Sequence, residues 1–216
     1  MKKLATTMLL GAAIALGGCA TGTKPTGNKH AYSGQTPDFA VSGTRVAVVA
    51  VRDARSYVMS GRWAPEFAGV TRGGFGNPVD VLTESGNPLA VDFGTTIAAA
   101  LKAKGFKATV LEGSVPGNAE EIASVLKKAG AERLVVVLIE EWRSDTFVNT
   151  TLDYGLDLQV YDDSGKVLGA TQLTGRQDLG GDAADPAGHA RTAVPAAYRR
   201  ILEQLFSAEP IAASLK

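Results

Sequence analysis

Hydrophobic positions along the chain fall into a few sharply different patterns. Val46 to Val51, within "TRVAVVAVRD", form a continuous apolar run bounded by charged residues. Such a run suits a strand covered on both faces. Residues 134–139, "LVVVLI", repeat the pattern. Two helical stripes lie between these runs. Phe93, Ile97, Ala100 and Leu101 recur at helical spacing, with Asn87 as a cap, Pro88 in the first position and Gly105 just past the end. Ile122, Val125, Leu126 and Ala129 make the second stripe, opened by the capping spacing of Asn118 and Glu121 and closed by Gly130. "FKATVL" predicts a short strand between the two helices.

After residue 150 the period changes to two. Leu152, Tyr154, Leu156, Leu158 and Val160 alternate with Asp153, Gly155, Asp157 and Gln159, which predicts a half-buried antiparallel strand. Asp162 to Gly165 supplies a turn, and Val167 to Leu173 returns as its partner. A last stripe holds Val194, Tyr198, Ile201, Leu202 and Leu205, with Pro195 expected to begin or kink that helix. The order β-α-β-α-β-β-β-α predicts an α/β fold. It is a mixed sheet of about five strands, a parallel βαβαβ core plus an antiparallel hairpin, with helices packed on it. Arg52 to Asn87 reads as one long irregular segment, and no internal repeat is visible.

The N-terminus follows a different logic. Met1, Lys2 and Lys3 give a basic start, and Leu4 to Leu16 is apolar but for Thr6, Thr7 and Gly11. This is the build of a signal peptide. Leu16-Gly17-Gly18-Cys19 resembles the bacterial lipobox, in which a leucine and two small residues precede an obligate cysteine. The resemblance implies cleavage before Cys19, diacylglycerol on its sulfur and a fatty acyl group such as palmitate on its new amino group. Ala20 after the cysteine, rather than aspartate, implies the outer membrane, with the protein facing the periplasm. The domain reading is a signal peptide over 1–18, a lipid-anchored tether over 19–43 and one periplasmic α/β domain over 44–216. The tether reading rests on the Gly, Thr, Pro and Ser content of residues 20–43 and leaves His30 solvated.

Composition narrows the function classes. Lys plus Arg is 22 and Asp plus Glu is 22, so no basic excess points to nucleic acid. Cys19 is the lone cysteine, and His30 and His189 are the only histidines, so no zinc set is expected. The aspartates of "DYGLDLQVYDDSG" follow strand alternation rather than calcium-loop spacing. "RGGFGN" lacks the Lys-Ser/Thr of a phosphate-binding loop, and no nucleophile elbow is present. Glu140 and Glu141 are adjacent, which places them on opposite faces of a strand. The expectation is a chain with no catalytic residue, metal or cofactor.

Several features resemble the YajG-type lipoproteins of bacterial envelopes. They are Asp53-Ala54-Arg55, Gly69-Val70, Gly74-Phe75-Gly76, the β-like "PVDVLT" and a helix ending in Gly105-Phe106. The resemblance spans roughly residues 44–206 and implies an envelope lipoprotein with no assigned reaction. The element order is also similar to the N-terminal α/β module of TolB and to lipoprotein activators of peptidoglycan synthases, a likeness of fold alone.

Where this chain meets its surroundings is the remaining question. If the parallel strands end together, their C-terminal edge gathers Arg52, Asp53 and Arg55 with Glu141, Trp142 and Arg143, and the long segment adds Tyr57, Trp63, Phe67 and Phe75. Open α/β sheets bind ligands at that edge, and segments of this length are functional or disordered. The leading expectation is a non-enzymatic envelope component that binds a protein partner through this edge. The alternative is a small-molecule or glycan site using the same edge as a pocket; a third reading folds the aromatics back as a cap on the sheet. The tether is expected at the opposite end, so that the edge faces away from the membrane.

Overall fold

The computed structural model describes residues 28–216. The expected signal peptide, Cys19 and the first part of the tether lie outside the described residues.

The class is the one the pattern predicts, α/β with a mixed sheet, but the sheet has eight strands. They are β1 (Lys29–His30), β2 (Val46–Asp53), β3 (Phe67–Arg72), β4 (Pro78–Thr83), β5 (Lys107–Val110), β6 (Arg133–Thr146), β7 (Asn149–Tyr161) and β8 (Val167–Gly181). Five helices accompany them: α1 (Ser56–Met59), α2 (Leu89–Ala103), α3 (Ala119–Ala129), α4 (Pro186–Ser207) and α5 (Glu209–Ser214). The predicted skeleton survives as β2-α2-β5-α3-β6-β7-β8-α4. The additions are β1 before it, α1 and β3 inside the segment read as irregular, β4 at the "PVDVLT" noted as β-like, and α5 after it.

Strand β6 organises the sheet. Along one edge β7 pairs with it antiparallel from Leu134–Tyr161 to Thr146–Thr150. The other edge is shared. β2 pairs parallel with Arg133 to Ile139, and β3 pairs parallel with Ser144 to Thr146. β5 extends the lower half beside β2, and β4 and β1 extend the upper half beside β3. "Upper" here is the end toward which β2, β3, β5 and β6 all point. Close approach of β3 to β6 requires glycine at 69, where a Cβ would overlap the Ser144 hydroxyl and backbone.

The two long apolar runs are covered on both faces, as their pattern predicts. One face carries the main core, where Val49, Val135, Val137 and Ile139 meet Phe93 and Ile97 of α2, Tyr198 and Phe206 of α4, and Ile211 of α5. On the other face α3 lays Ile122 and Leu126 on Val48, Ala50, Leu134 and Val136. The α3 signals work as read. The Asn118 side chain accepts from Glu121 N–H at 2.9 Å, a Glu121 carboxylate oxygen accepts from Gly117 N–H at 2.7 Å, and Gly130 turns left-handed with φ 59°. Helix α2 begins one residue later than expected, capped by Pro88 rather than Asn87. Helix α4 starts at Pro186 and continues past Pro195, so Pro195 does not begin it.

Residues 28–43 correct the tether reading. His30, Tyr32, Phe39 and Val41 are all buried. Phe39 stacks on Phe206 at 4.0 Å, and Tyr32 sits edge-on to Trp142 and Tyr198. The segment is rich in turn formers, yet four buried anchors suffice to hold it against the core, because each buried aromatic ring removes a large area from water. The tether can extend only through residues before 28. Its direction also differs from expectation. β1 runs parallel to β4, pairing Lys29 with Leu82 and His30 with Thr83, so the chain comes into the sheet from its upper end and runs down to β2.

Two outcomes follow. Phe39→Ala should lower stability by about 3–5 kcal/mol in a urea titration, the usual cost of emptying a buried ring site. Burial pushes the His30 imidazole down to about 3. The unfolded chain therefore binds the extra proton between roughly pH 6.5 and 3, and His30's contribution is full above 6.5 and lost as pH falls through that window. The loss is roughly 1.4 kcal/mol per pH unit. Comparing urea midpoints of wild type and His30→Gln from pH 7 to 4 should show the steeper acid loss in the wild type.

Candidate functional site

The shared edge of β6 leaves a gap. β2 stops at Asp53, opposite Ile139, and β3 starts its pairing at Ser144. The carbonyls of β6 in between have no strand to bond with. Side chains fill the gap. Arg55 Nη1 donates to the carbonyls of Trp142 at 3.2 Å and Phe67 at 2.6 Å, and Tyr57 Oη lies 3.1 Å from the Trp142 carbonyl. Ala54 N–H closes the lower side by donating to the Ile139 carbonyl at 2.9 Å. Arg55 has no exposed surface. Its charge is met by Asp53 in a two-pronged pair, Nε to Oδ1 at 2.8 Å and Nη2 to Oδ2 at 2.6 Å. This geometry supplies the charge pairing and hydrogen bonds that a buried guanidinium requires.

An aromatic shelf is built on this plug. Phe67 is buried, Trp63 stacks on it with centroids 4.6 Å apart, and Tyr57 stands edge-on to Trp63 at 5.1 Å. Trp63 is half-buried, and its accompanying cation is Arg62, whose guanidinium lies 4.9 Å over the ring. Tyr57 Oη is 2.6 Å from the Glu141 carboxylate, and burial and that bond push its hydroxyl well up from the usual tyrosine range. Glu140 lies exposed and accepts from Gln172 at 2.9 Å.

The expected edge residues therefore divide. Arg55, Phe67 and Trp142 are buried, which removes them as a contact surface. Trp142 turns its ring into the main core, where Nε1 donates to Tyr32 Oη at 2.9 Å. Asp53 is spent on Arg55. Tyr57 and Trp63 stay half-buried on the shelf, and Arg52 and Arg143 remain in contact with solvent. Phe75 is elsewhere, 98% exposed in the turn between β3 and β4. The aromatics thus both cap the sheet and present a surface, and the division falls within the segment. Sequence reasoning missed Arg62, whose pairing with Trp63 follows from direct adjacency, and Phe147 and Val148, which are exposed at the tip of the β6–β7 hairpin.

Above α3 the second face of the sheet is uncovered and polar. Glu140, Glu141, Arg143, Asp153 and Gly155 line a shallow cleft of about 470 Å³, and a bulge in β6 between Ile139 and Glu141 turns both glutamates to this face, against the opposite-face expectation. Arg72 holds Asp145 in a two-pronged pair at 2.8 and 2.5 Å, and this bond keeps the Asp145 carboxyl below the usual range. Small-ligand sites are commonly apolar with a few convergent polar groups, and half of this cleft's lining residues are charged. Among the described residues no group of three or more His, Cys, Asp and Glu is placed to hold a metal, and no helix is long and apolar enough to cross a membrane.

No family model matches the chain, and no curated protein matches it in sequence. Several solved structures are similar to it over most of their length. A DUF330 protein of Xanthomonas campestris is 10% identical, with 80% of this chain covering 94% of that one and a TM-score of 0.45. PelC of Paraburkholderia phytofirmans, solved as a dodecamer, is 16% identical, with 80% covering 95% and a TM-score of 0.43. Lipoprotein GNA1162 of Neisseria meningitidis is 11% identical, with 73% covering 98% and a TM-score of 0.29. At these values the likenesses carry no argument about what this chain does.

Arg55→Ala should destabilise by about 3–5 kcal/mol, since it leaves Asp53 half-buried without its partner and reopens the gap in β6. Phe75→Ala should change stability by less than about 0.5 kcal/mol, as for other exposed positions. Parallel thermal melts of the two variants check both.

Proposed function

We propose that the chain is an accessory lipoprotein of the bacterial envelope, anchored in the outer membrane through acylated Cys19 and facing the periplasm. It works without catalysis by binding a protein partner on the Tyr57–Arg62–Trp63 shelf. The carrying observation is the shelf itself. A tryptophan is stacked at 4.6 Å on a buried phenylalanine with an arginine laid over its other side. Tryptophan, tyrosine and arginine dominate the energetics of protein interfaces, and a ring fixed before binding loses little entropy on contact. The anchor rests on Leu16-Gly17-Gly18-Cys19. Glu140 and Glu141 are engaged by Gln172 and Tyr57, which speaks against a paired acid and base.

The small-molecule or glycan reading draws less support, because the neighbouring cleft is shallow and charged. Two measurements test the proposal. Cys19→Ser should abolish acyl mass and release the protein from the membrane fraction. A photo-crosslinking residue at position 62 should capture one defined envelope protein in intact cells, and Trp63→Ala should reduce that capture at least tenfold. Equal capture by wild type and Trp63→Ala would remove the shelf as the contact surface.

A further inference from the structure

The upper end of the sheet carries two turns that lie side by side. β3 pairs with β6 up to Thr71–Thr146, so the turn after β3 and the turn after β6 leave neighbouring strands, about 5 Å apart. Each presents bare apolar side chains. Phe75 is 98% exposed, Phe147 50% and Val148 43%, and Val79, opposite Thr71, is 46% exposed. Scattered single apolar residues on a surface need no explanation, but four gathered at one end do. Charges close by are mixed, with Arg72 against Asp145 and with Asp182 and Asp185 nearby on the loop after β8.

The path of the chain says what faces this end. Asn28 lies just above Lys29, whose partner Leu82 is four residues below Pro78 at the top of β4. That is about 13 Å from the upper end. Nine peptide steps join Cys19 to Asn28, a reach of at most about 30 Å. The lower end lies a further nine residues down β6 from the level of Trp142, also about 30 Å. A bilayer holding Cys19 is therefore reached from the upper end with slack, and from the lower end only by a fully extended chain running back along the molecule.

We propose that the Phe75 and Phe147–Val148 turns dock on the lipid surface that holds the anchor, as a second membrane contact that orients the domain. The proposal rests on the lipid-anchor reading of Cys19 and assigns these residues to lipid rather than to the protein partner. Phenylalanine and valine on turn tips seat at the boundary of headgroups and acyl chains, and the mixed charges make the contact depend on apolar insertion more than on anionic lipid. The domain then stands with β2's start and the C-terminal helix away from the membrane, and the Trp63 shelf at mid-height, open to the side.

The test uses the full lipidated protein, in which acylated Cys19 leaves an introduced thiol unique. A polarity-sensitive dye is placed on Val148→Cys or, at the lower end, on Val167→Cys, and the protein is reconstituted into phosphatidylethanolamine–phosphatidylglycerol vesicles. The expected result is a blue-shifted emission at 148 that nitroxide-labelled lipids quench at least twofold, with neither effect at 167. Phe75→Ser together with Phe147→Ser should abolish the shift while the protein still floats with the vesicles. A water-like dye at 148 on floating, acylated protein would overturn the proposal and leave the anchor intact, as would equal quenching at both sites. A protein without acyl mass that fails to float would overturn the anchor reading and this proposal with it.

Discussion

A strand with one edge and two partners is the constraint on which this fold depends. β6 is 14 residues long, β2 and β3 each satisfy part of its edge, and neither reaches the middle. Unpaired backbone carbonyls in a buried place carry a desolvation cost that something must offset. Arg55 does so with donors aimed at Trp142 and Phe67, and it is held in aim by Asp53 two residues earlier. The chain can thus leave β2, make the short turn of α1 and re-enter the same sheet higher up. The aromatic shelf exists because of that detour. Tyr57, Trp63 and Phe67 are stacked where the chain bends around its own plug.

What was legible in the sequence followed from periodicity. Continuous apolar runs marked β2 and β6, alternation marked β7, helical stripes with caps marked α2 and α3, and a stripe alone marked α4, because each pattern reports which faces lose contact with water. The misses have a common cause. β3 contains Gly69, and β4, legible only as the β-like "PVDVLT", is mostly exposed, so their pattern is too weak to show that they pair with each other and with β6. β8 continues to Gly181 with little apolar signal because its outer face is solvated and long pairing to β7 sustains it. Residues 28–43 look like a linker by composition, and four buried anchors hold them against the core. Local composition cannot report that.

The candidate site shows the same limit. Charge and aromatic content singled out Arg52 to Phe75 and Trp142 to Arg143, and several of those residues do meet around the gap in β6. Whether an arginine faces solvent or plugs a sheet depends on the neighbouring carbonyls, which residue type alone does not disclose. Arg55 and Arg62 are seven positions apart and alike in the sequence. One is sealed beneath the shelf and the other lies across the top of it.

The packing of the first described residues on the last helices has a consequence for how the chain is made. Asp38 N–H donates to Glu203, 165 residues later, and Phe39 finds its ring partner at Phe206. Tyr32 meets Tyr198 in the same core. Contacts so distant in sequence cannot form until residues 198–206 have been synthesised, and folds dominated by them close slowly. During synthesis the early segment lacks the surface on which it packs in the folded chain. The contact that completes the core thus also sets the earliest point at which the core can close.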